Sequence, residues 1–217
     1  MRLEVKPAFV IGILGAESTG KTLLSSTLRD ALSTGGRRVA VVSEYLREFC
    51  DLQGRTPIEA EQAGIAAEQS HRIDEAAQTH DIVIADTTAL MIAVYSEIVF
   101  GDTSLYASAI EAHRRCGITL LTALDIPWQA DAHQRDGPHV REPVDALVRA
   151  ALLKAQLPYA VVSGSGERRL ESALLAVKHA LDESSSEDEA RANPLWKWVC
   201  ERCGDANCER HLLPRIG

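Results

Sequence analysis

The 217-residue sequence predicts an α/β fold built on a doubly wound, mainly parallel five-stranded sheet. Three observations predict it. Strand-like apolar runs alternate with longer helix-like segments over most of the chain. Phe9–Leu14 is apolar throughout, as a central strand buried on both faces must be. That run passes straight into a glycine-bounded turn, Gly15 to Gly20, and then into a helical pattern.

The elements follow in order. Lys21–Ser33 reads as a helix stopped by Gly35-Gly36, and Val39–Ser43 as the second strand. Thr56-Pro57-Ile58-Glu59 looks like a helix start, with Thr as cap, Pro at the first position and Glu in the first turn. That helix is expected to reach Thr79. Asp81–Ala85 is the third strand, followed by helices around Ala89–Val99 and Ser104–Arg115. Ile118–Leu124 and Tyr159–Val162 are the fourth and fifth strands, with helices at Glu142–Gln156 and Glu167–Leu181. Residues 126–141 carry little periodicity and hold Pro, Gly, His and Arg, a length of loop typical of a functional lid.

Composition sets the outer limits. Apolar residues make up 46% and charged residues 25%, values usual for a globular protein with a core of its own. The net charge of −8 argues against coating nucleic acid or an anionic membrane, although a local nest of amides can still bind one polyphosphate. No apolar run is long enough to span a bilayer. Ala8–Ala16 follows basic residues as a short signal peptide would, but its continuation into Glu17-Ser18-Thr19-Gly20-Lys21-Thr22 makes it a buried strand. Five cysteines, an odd number without a secretory signal, point to free thiols in a reducing, cytoplasmic setting.

The turn after the first strand carries the chemistry. Gly15-Ala16-Glu17-Ser18-Thr19-Gly20-Lys21-Thr22 fits G-x-x-x-x-G-K-[ST] in full. A triphosphate is dense in negative charge, and backbone N–H groups can wrap it only where Cβ atoms do not intrude. Gly15 and Gly20 permit that approach, and the helix that follows aims its positive end at the phosphates. Lys21 is expected to reach the β and γ oxygens, and the Thr22 hydroxyl to hold Mg²⁺. The metal also needs a carboxylate from a strand end. Asp86 is favoured by analogy with P-loop kinases, and Asp125 reads as a loop or helix cap.

An acceptor hydroxyl needs a carboxylate beside the γ-phosphate. Glu44, at the end of the second strand, is the candidate base, with Tyr45 and Arg47 at the same corner; the alternative for Glu44 and Arg47 is a surface ion pair of small effect. Arg135 and Arg141 bracket a Gly-Pro turn in the long loop and suit closure over a phosphoryl group, unless the loop is simply exposed. Trp128 either stacks on a flat ring or covers the core. Ser163, Gly164 and Gly166 form either a backbone turn for adenine or a plain strand-to-helix connection.

Taken together, G-A-E-S-T-G-K-T, S-E-Y-L-R-E, A-D-T-T with V-Y-S-E, D-I-P-W-Q-A-D with R-D-G-P-H-V-R, and V-V-S-G-S-G-E-R resemble the ribosylnicotinamide kinase domain of NadR-type proteins, a P-loop kinase family. The resemblance spans Phe9 to Leu181. It implies transfer of the ATP γ-phosphate to the 5′-hydroxyl of nicotinamide riboside. It also implies a Mg-ATP site at Gly15–Thr22, a carboxylate site with Glu44 and Asp86, a lid with Arg135 and Arg141, and nucleoside contacts from Trp128 and Asp131. Eight residues precede Phe9, so adenylyl transfer is not expected. The competing readings are a nucleotide-gated regulatory protein and a kinase for another nucleoside or nucleotide.

Residues 1–182 are read as the kinase domain, 183–194 as an acidic linker and 195–217 as a separate tail. The tail contains Cys200, Cys203, Cys208 and His211 as C-x₂-C-x₄-C-x₂-H, the donor number and type of a closed structural zinc site. Free thiols are the alternative, and Cys50 and Cys116 read as core residues. Trp196 and Trp198 make the tail a candidate surface for self-association or a protein partner; its modest basic count argues against nucleic acid.

Overall fold

The computed structural model describes residues 7–128 and 137–192, with side chains up to residue 184. Five parallel strands, β1 (Phe9–Leu14), β2 (Val39–Val42), β3 (Ile82–Asp86), β4 (Cys116–Thr122) and β5 (Ala160–Val162), form one sheet in the order β2-β3-β1-β4-β5. β1 lies at its centre, between β3 and β4, and is almost wholly buried, which explains its unbroken apolar run. The strand order reverses beside β1, so the crevice past its C-terminal end is where a ligand is expected.

Seven α-helices occur among the described residues: α1 (Lys21–Leu32), α2 (Tyr45–Gln53), α3 (Glu59–Thr79), α4 (Ala89–Phe100), α5 (Tyr106–His113), α6 (Arg141–Lys154) and α7 (Gly166–Ala192). Leu24, Leu28 and Leu32 recur every four residues on α1 and are all buried. Every residue of α4 from Ala89 to Val94 is buried, so this helix is enclosed rather than amphipathic. It joins Leu14, Leu121, Val144, Val148 and Leu152 in the larger core cluster. Ile73 of α3 packs with Val10, Val42, Val83 and Ala85 in a smaller one.

The structure corrects several boundaries. The segment after β2 turns at once into α2, a helix the sequence pattern did not reveal. α3 begins after Ile58 rather than at Pro57, because the Glu61 carboxylate accepts the Ile58 N–H at 2.9 Å and holds Arg55 at 2.7 Å. β4 runs Cys116–Thr122, two residues earlier than expected at each end. Cys50 and Cys116 are half-buried rather than enclosed in the core. α7 continues helically through the acidic stretch to Ala192. The chain divides into two compact units, Met1–Ala180 and Leu181–Gly217. The first holds the sheet. In the second, Ser184 donates its hydroxyl to the Leu181 carbonyl. Cys200, Cys203, Cys208 and His211 lie outside the described residues. Among the described residues, no helix is long and apolar enough to cross a membrane.

Candidate active site

The turn between β1 and α1 is fixed by contacts that only glycine allows. Gly15 has φ +149°, and a Cβ there would sit 1.9 Å from Thr122 Oγ1. The Thr122 and Thr19 hydroxyls lie 2.7 Å apart, with the Leu14 and Ala16 carbonyls as further acceptors at 3.2 and 2.8 Å. Gly20 takes the left-handed conformation, φ +76°, at the N-cap of α1. The Lys21 ammonium folds back over this turn and donates to the Gly15 and Ala16 carbonyls, each at 2.9 Å. An ammonium has three donors, so it keeps one for a further partner.

Neighbouring strand ends complete the site. Thr22, in the first turn of α1, donates its hydroxyl to Asp86 Oδ2 at 2.6 Å. Asp86 ends β3 and is 2% exposed, and its other oxygen, Oδ1, is buried without a hydrogen-bond partner among the described residues. A hydroxyl and an unfilled carboxylate oxygen are the hard oxygen donors that Mg²⁺ takes alongside phosphate and water, so these residues fit the ion.

Glu44 stands at the N-cap position of α2, two residues past β2, and approaches from the other side. Its side chain is 15% exposed, and Arg47 Nε lies 3.9 Å away. Burial, with the nearby Asp86 and Glu17 charges, pushes the Glu44 carboxyl up, against the opposing pull of Lys21 and Arg47.

Glu17, Ser18, Thr19, Gly20, Lys21, Thr22, Glu44, Arg47 and Tyr95 line one cavity of about 180 Å³. The motif thus shares a cavity with the predicted base. Glu17 Oε2 is buried there without a hydrogen-bond partner. Tyr95, from α4, lines the same cavity; burial, then the Glu17 and Glu44 charges, holds its hydroxyl well above the ordinary tyrosine range.

Other predicted residues fall elsewhere. The Tyr45 ring lies beneath the Arg72 guanidinium, 4.3 Å from its centroid, rather than in the cavity wall. Arg141 is 8% exposed and donates to the Ile126 carbonyl at 2.9 Å, while its Nε is buried without a partner. Trp128 is half-buried, with its indole N–H likewise unpartnered among the described residues. Arg135 and Asp131 lie outside the described residues.

Asp125 is a cap, as its position suggested. It accepts the Gly164 N–H at 2.5 Å and Arg169 Nη1 at 3.3 Å, and these partners, Gly164 first, draw its carboxyl below the usual range. Arg169 also donates to the Gly164 carbonyl at 2.8 Å and the Thr19 carbonyl at 2.6 Å. The Ser163–Gly166 turn is thereby tied to the phosphate turn.

Sequence reading missed Arg169, Tyr95 as a wall of the cavity, and Gln69 of α3, which bonds both Tyr45 N–H and the Thr87 carbonyl. Only Tyr95 had a local signal, the V-Y-S-E segment.

Residues 10–169 match the AAA domain family. The chain belongs to that family. The fold is also that of solved NadR proteins. One, solved in complex with NAD and AMP-PNP, superposes with a TM-score of 0.62 at 16% identity, covering 80% of this chain and 49% of that one. Another, in complex with NR, gives a TM-score of 0.65 at the same identity and coverage. The chain therefore spans about half the length of these proteins. No curated protein matches it.

Proposed function

We propose that this chain is a Mg-ATP-dependent small-molecule kinase that phosphorylates a riboside, with the 5′-hydroxyl of nicotinamide riboside as the favoured acceptor. The observation that carries the reading is a single cavity bearing Lys21 and Thr22 on one side and Glu44 on the other. The NadR complex with NR supports the choice of acceptor.

In this reading the amides of Gly15–Thr22 and the Lys21 ammonium hold the triphosphate. Thr22 and Asp86 would hold Mg²⁺, which when bound offsets phosphate charge. Glu44 orients the acceptor hydroxyl and takes its proton. The oxygen lone pair forms a bond to the γ-phosphorus as the bond to the β–γ bridging oxygen breaks, leaving ADP. Arg135 supplies the lid cation, Arg141 holds the Ile126 carbonyl at the base of the lid, and the Ser163–Gly166 turn meets the adenine. Trp128 and Asp131 contact the nucleoside.

A monophosphate acceptor fits less well. Glu17 and Glu44 place two carboxylates in the cavity wall, where Arg47 is the one cation besides Lys21 among the described residues. Glu17 Oε2, a buried acceptor without a partner, suits a hydroxyl-bearing substrate. Within the tail, the spacing of Cys200, Cys203, Cys208 and His211 supports structural zinc, which metal analysis of the protein and Cys203→Ser would test.

The test is γ-phosphate transfer from labelled ATP to a panel of ribosides, with Lys21→Ala as control. Acceptor-dependent transfer by the wild type, lost in the variant, is expected. Nucleotide binding without transfer to any acceptor would instead favour a nucleotide-gated regulatory protein.

A further inference from the structure

Gln69 is fully buried on α3, a helix that contributes no residue to the cavity wall. Its carboxamide spans two loops. Oε1 accepts the backbone N–H of Tyr45 at 2.7 Å, and Nε2 donates to the carbonyl of Thr87 at 3.3 Å. Tyr45 directly follows Glu44, and Thr87 directly follows Asp86. The Tyr45 N–H opens α2 and has no acceptor within its own helix. Thr87 is a non-glycine residue at φ +75° and 1% exposed, and its N–H is held by the Ile13 carbonyl at 3.1 Å. A backbone this unfavourable persists only where its surroundings over-determine it.

We propose that Gln69 is a positioning residue that sets the separation of the two carboxylates, Glu44 and Asp86, by bonding the residue after each. The carboxamide accepts at one atom and donates from another without carrying charge, and asparagine is one methylene shorter. Its burial among Ile65, Ala66 and Ile73 would be costly if it served neither loop. Through Thr87 it holds the Asp86 carboxylate where Thr22 meets it, so its loss reaches the cation first. Through Tyr45 it holds Glu44, so its loss also reaches turnover. The consequence for turnover rests on the kinase reading, whereas the consequence for cation binding does not.

The experiment uses the full chain as wild type, Gln69→Leu, Gln69→Glu and Ile73→Ala. Ile73 sits one turn along the same helix and packs with Val10, Val42, Val83 and Ala85 of the sheet, so its variant reports lost packing. Calorimetry measures affinity for a non-hydrolysable ATP analogue as a function of Mg²⁺, thermal melts report stability, and the riboside assay reports kcat and KM. Both Gln69 variants are expected to need at least about fivefold more Mg²⁺ for the same nucleotide affinity and to lose kcat by about tenfold or more. Their Mg²⁺-free nucleotide affinity stays within about twofold of wild type, because the phosphate turn is untouched. Ile73→Ala melts earlier but keeps the wild-type Mg²⁺ requirement. If Gln69→Leu does not fold, Gln69→Glu, which retains the acceptor for Tyr45 N–H, decides alone. An unchanged Mg²⁺ requirement in the Gln69 variants, the same shift in Ile73→Ala, or a wild type whose nucleotide affinity ignores Mg²⁺ would each overturn the proposal. A wild type that shows Mg²⁺-dependent binding but transfers to no riboside would defeat the kinase reading, and the calorimetric comparison would still decide the role of Gln69.

Discussion

The Thr22 hydroxyl donates to Asp86 Oδ2 across 2.6 Å and so joins the first turn of α1 to the end of β3. These residues are 64 positions apart, and the parallel pairing of β1 with β3 brings them together, Ile13 opposite Asp86. Asp86→Asn keeps the size and one acceptor oxygen but removes the charge. In the proposed kinase reaction turnover is expected to fall on the order of 100-fold or more, because transition-state charge on the phosphoryl group would lose its cation. Steady-state kinetics at saturating ATP across a Mg²⁺ series would measure this. Thr22→Ala should act in the same direction.

Gly15 and Thr122 make a steric prediction. A Cβ at Gly15 would lie 1.9 Å from Thr122 Oγ1, at a backbone angle that side chains rarely adopt. Gly15→Ala should cost about 2–3 kcal/mol in urea unfolding, from overpacking plus backbone strain. Adding Thr122→Ala removes the clash but not the strain. The double variant should therefore be more stable than the sum of the single losses, a positive coupling measurable by a mutant cycle.

Glu44 links activity and stability in opposite senses. Its carboxyl is pushed up, mainly by burial. In the proposed role of base it must be ionised, so turnover should fall on acidification with an inflection above the ordinary glutamate value of about 4.3. A carboxyl raised in the folded state favours folding at low pH, below its unfolded value. That contribution is lost as pH rises through the folded value. Glu44→Gln mimics the neutral form. It should melt later than wild type at neutral pH while losing turnover on the order of 100-fold. An earlier melt together with full activity would contradict both halves of the assignment.

What the sequence made legible was short-range. The Gly15–Thr22 spacing needs only one strand, one turn and one helix, and all three are local patterns. Convergence of strand ends in a parallel sheet offered both Asp86 and Asp125, and analogy with P-loop kinases placed the strand of Asp86 beside β1, where it lies. α2 was not, because Glu44 makes no side-chain cap and the helix has no fully buried residue to set a period. Its stop at Gly54, φ +65°, was the available signal. The Thr56-Pro57 signature misplaced the start of α3 because Glu61, three residues into the helix, bonds back to Ile58. Arg169 was invisible for a different reason: its partners Thr19 and Asp125 are 150 and 44 residues away, and no local pattern encodes such a pairing.

That long-range pairing yields the last prediction. Arg169 is 5% exposed and spends its guanidinium on the Thr19 carbonyl, the Gly164 carbonyl and Asp125. No other side chain reaches three acceptors in one plane. Arg169→Met keeps the length but leaves both carbonyls without this donor, and should cost about 2–4 kcal/mol in urea unfolding. Arg169→Lys should recover only part, since one ammonium cannot span the same points. Nucleotide affinity should weaken in both, because the phosphate turn and the Ser163–Gly166 turn lose their tie, while Mg²⁺ dependence stays as in wild type. Asp125 supplies a pH signature. Its carboxyl is held low, by the Gly164 N–H first and then by Arg169, so its contribution is present above the ordinary aspartate value of about 3.9 and fades as pH falls through the folded value. Asp125 is 37% exposed, so solvent keeps this contribution modest. The stability gap between wild type and Asp125→Asn should be constant near neutrality and close on acidification. A gap that widened in acid would mean that Asp125 does not act as the cap of this turn.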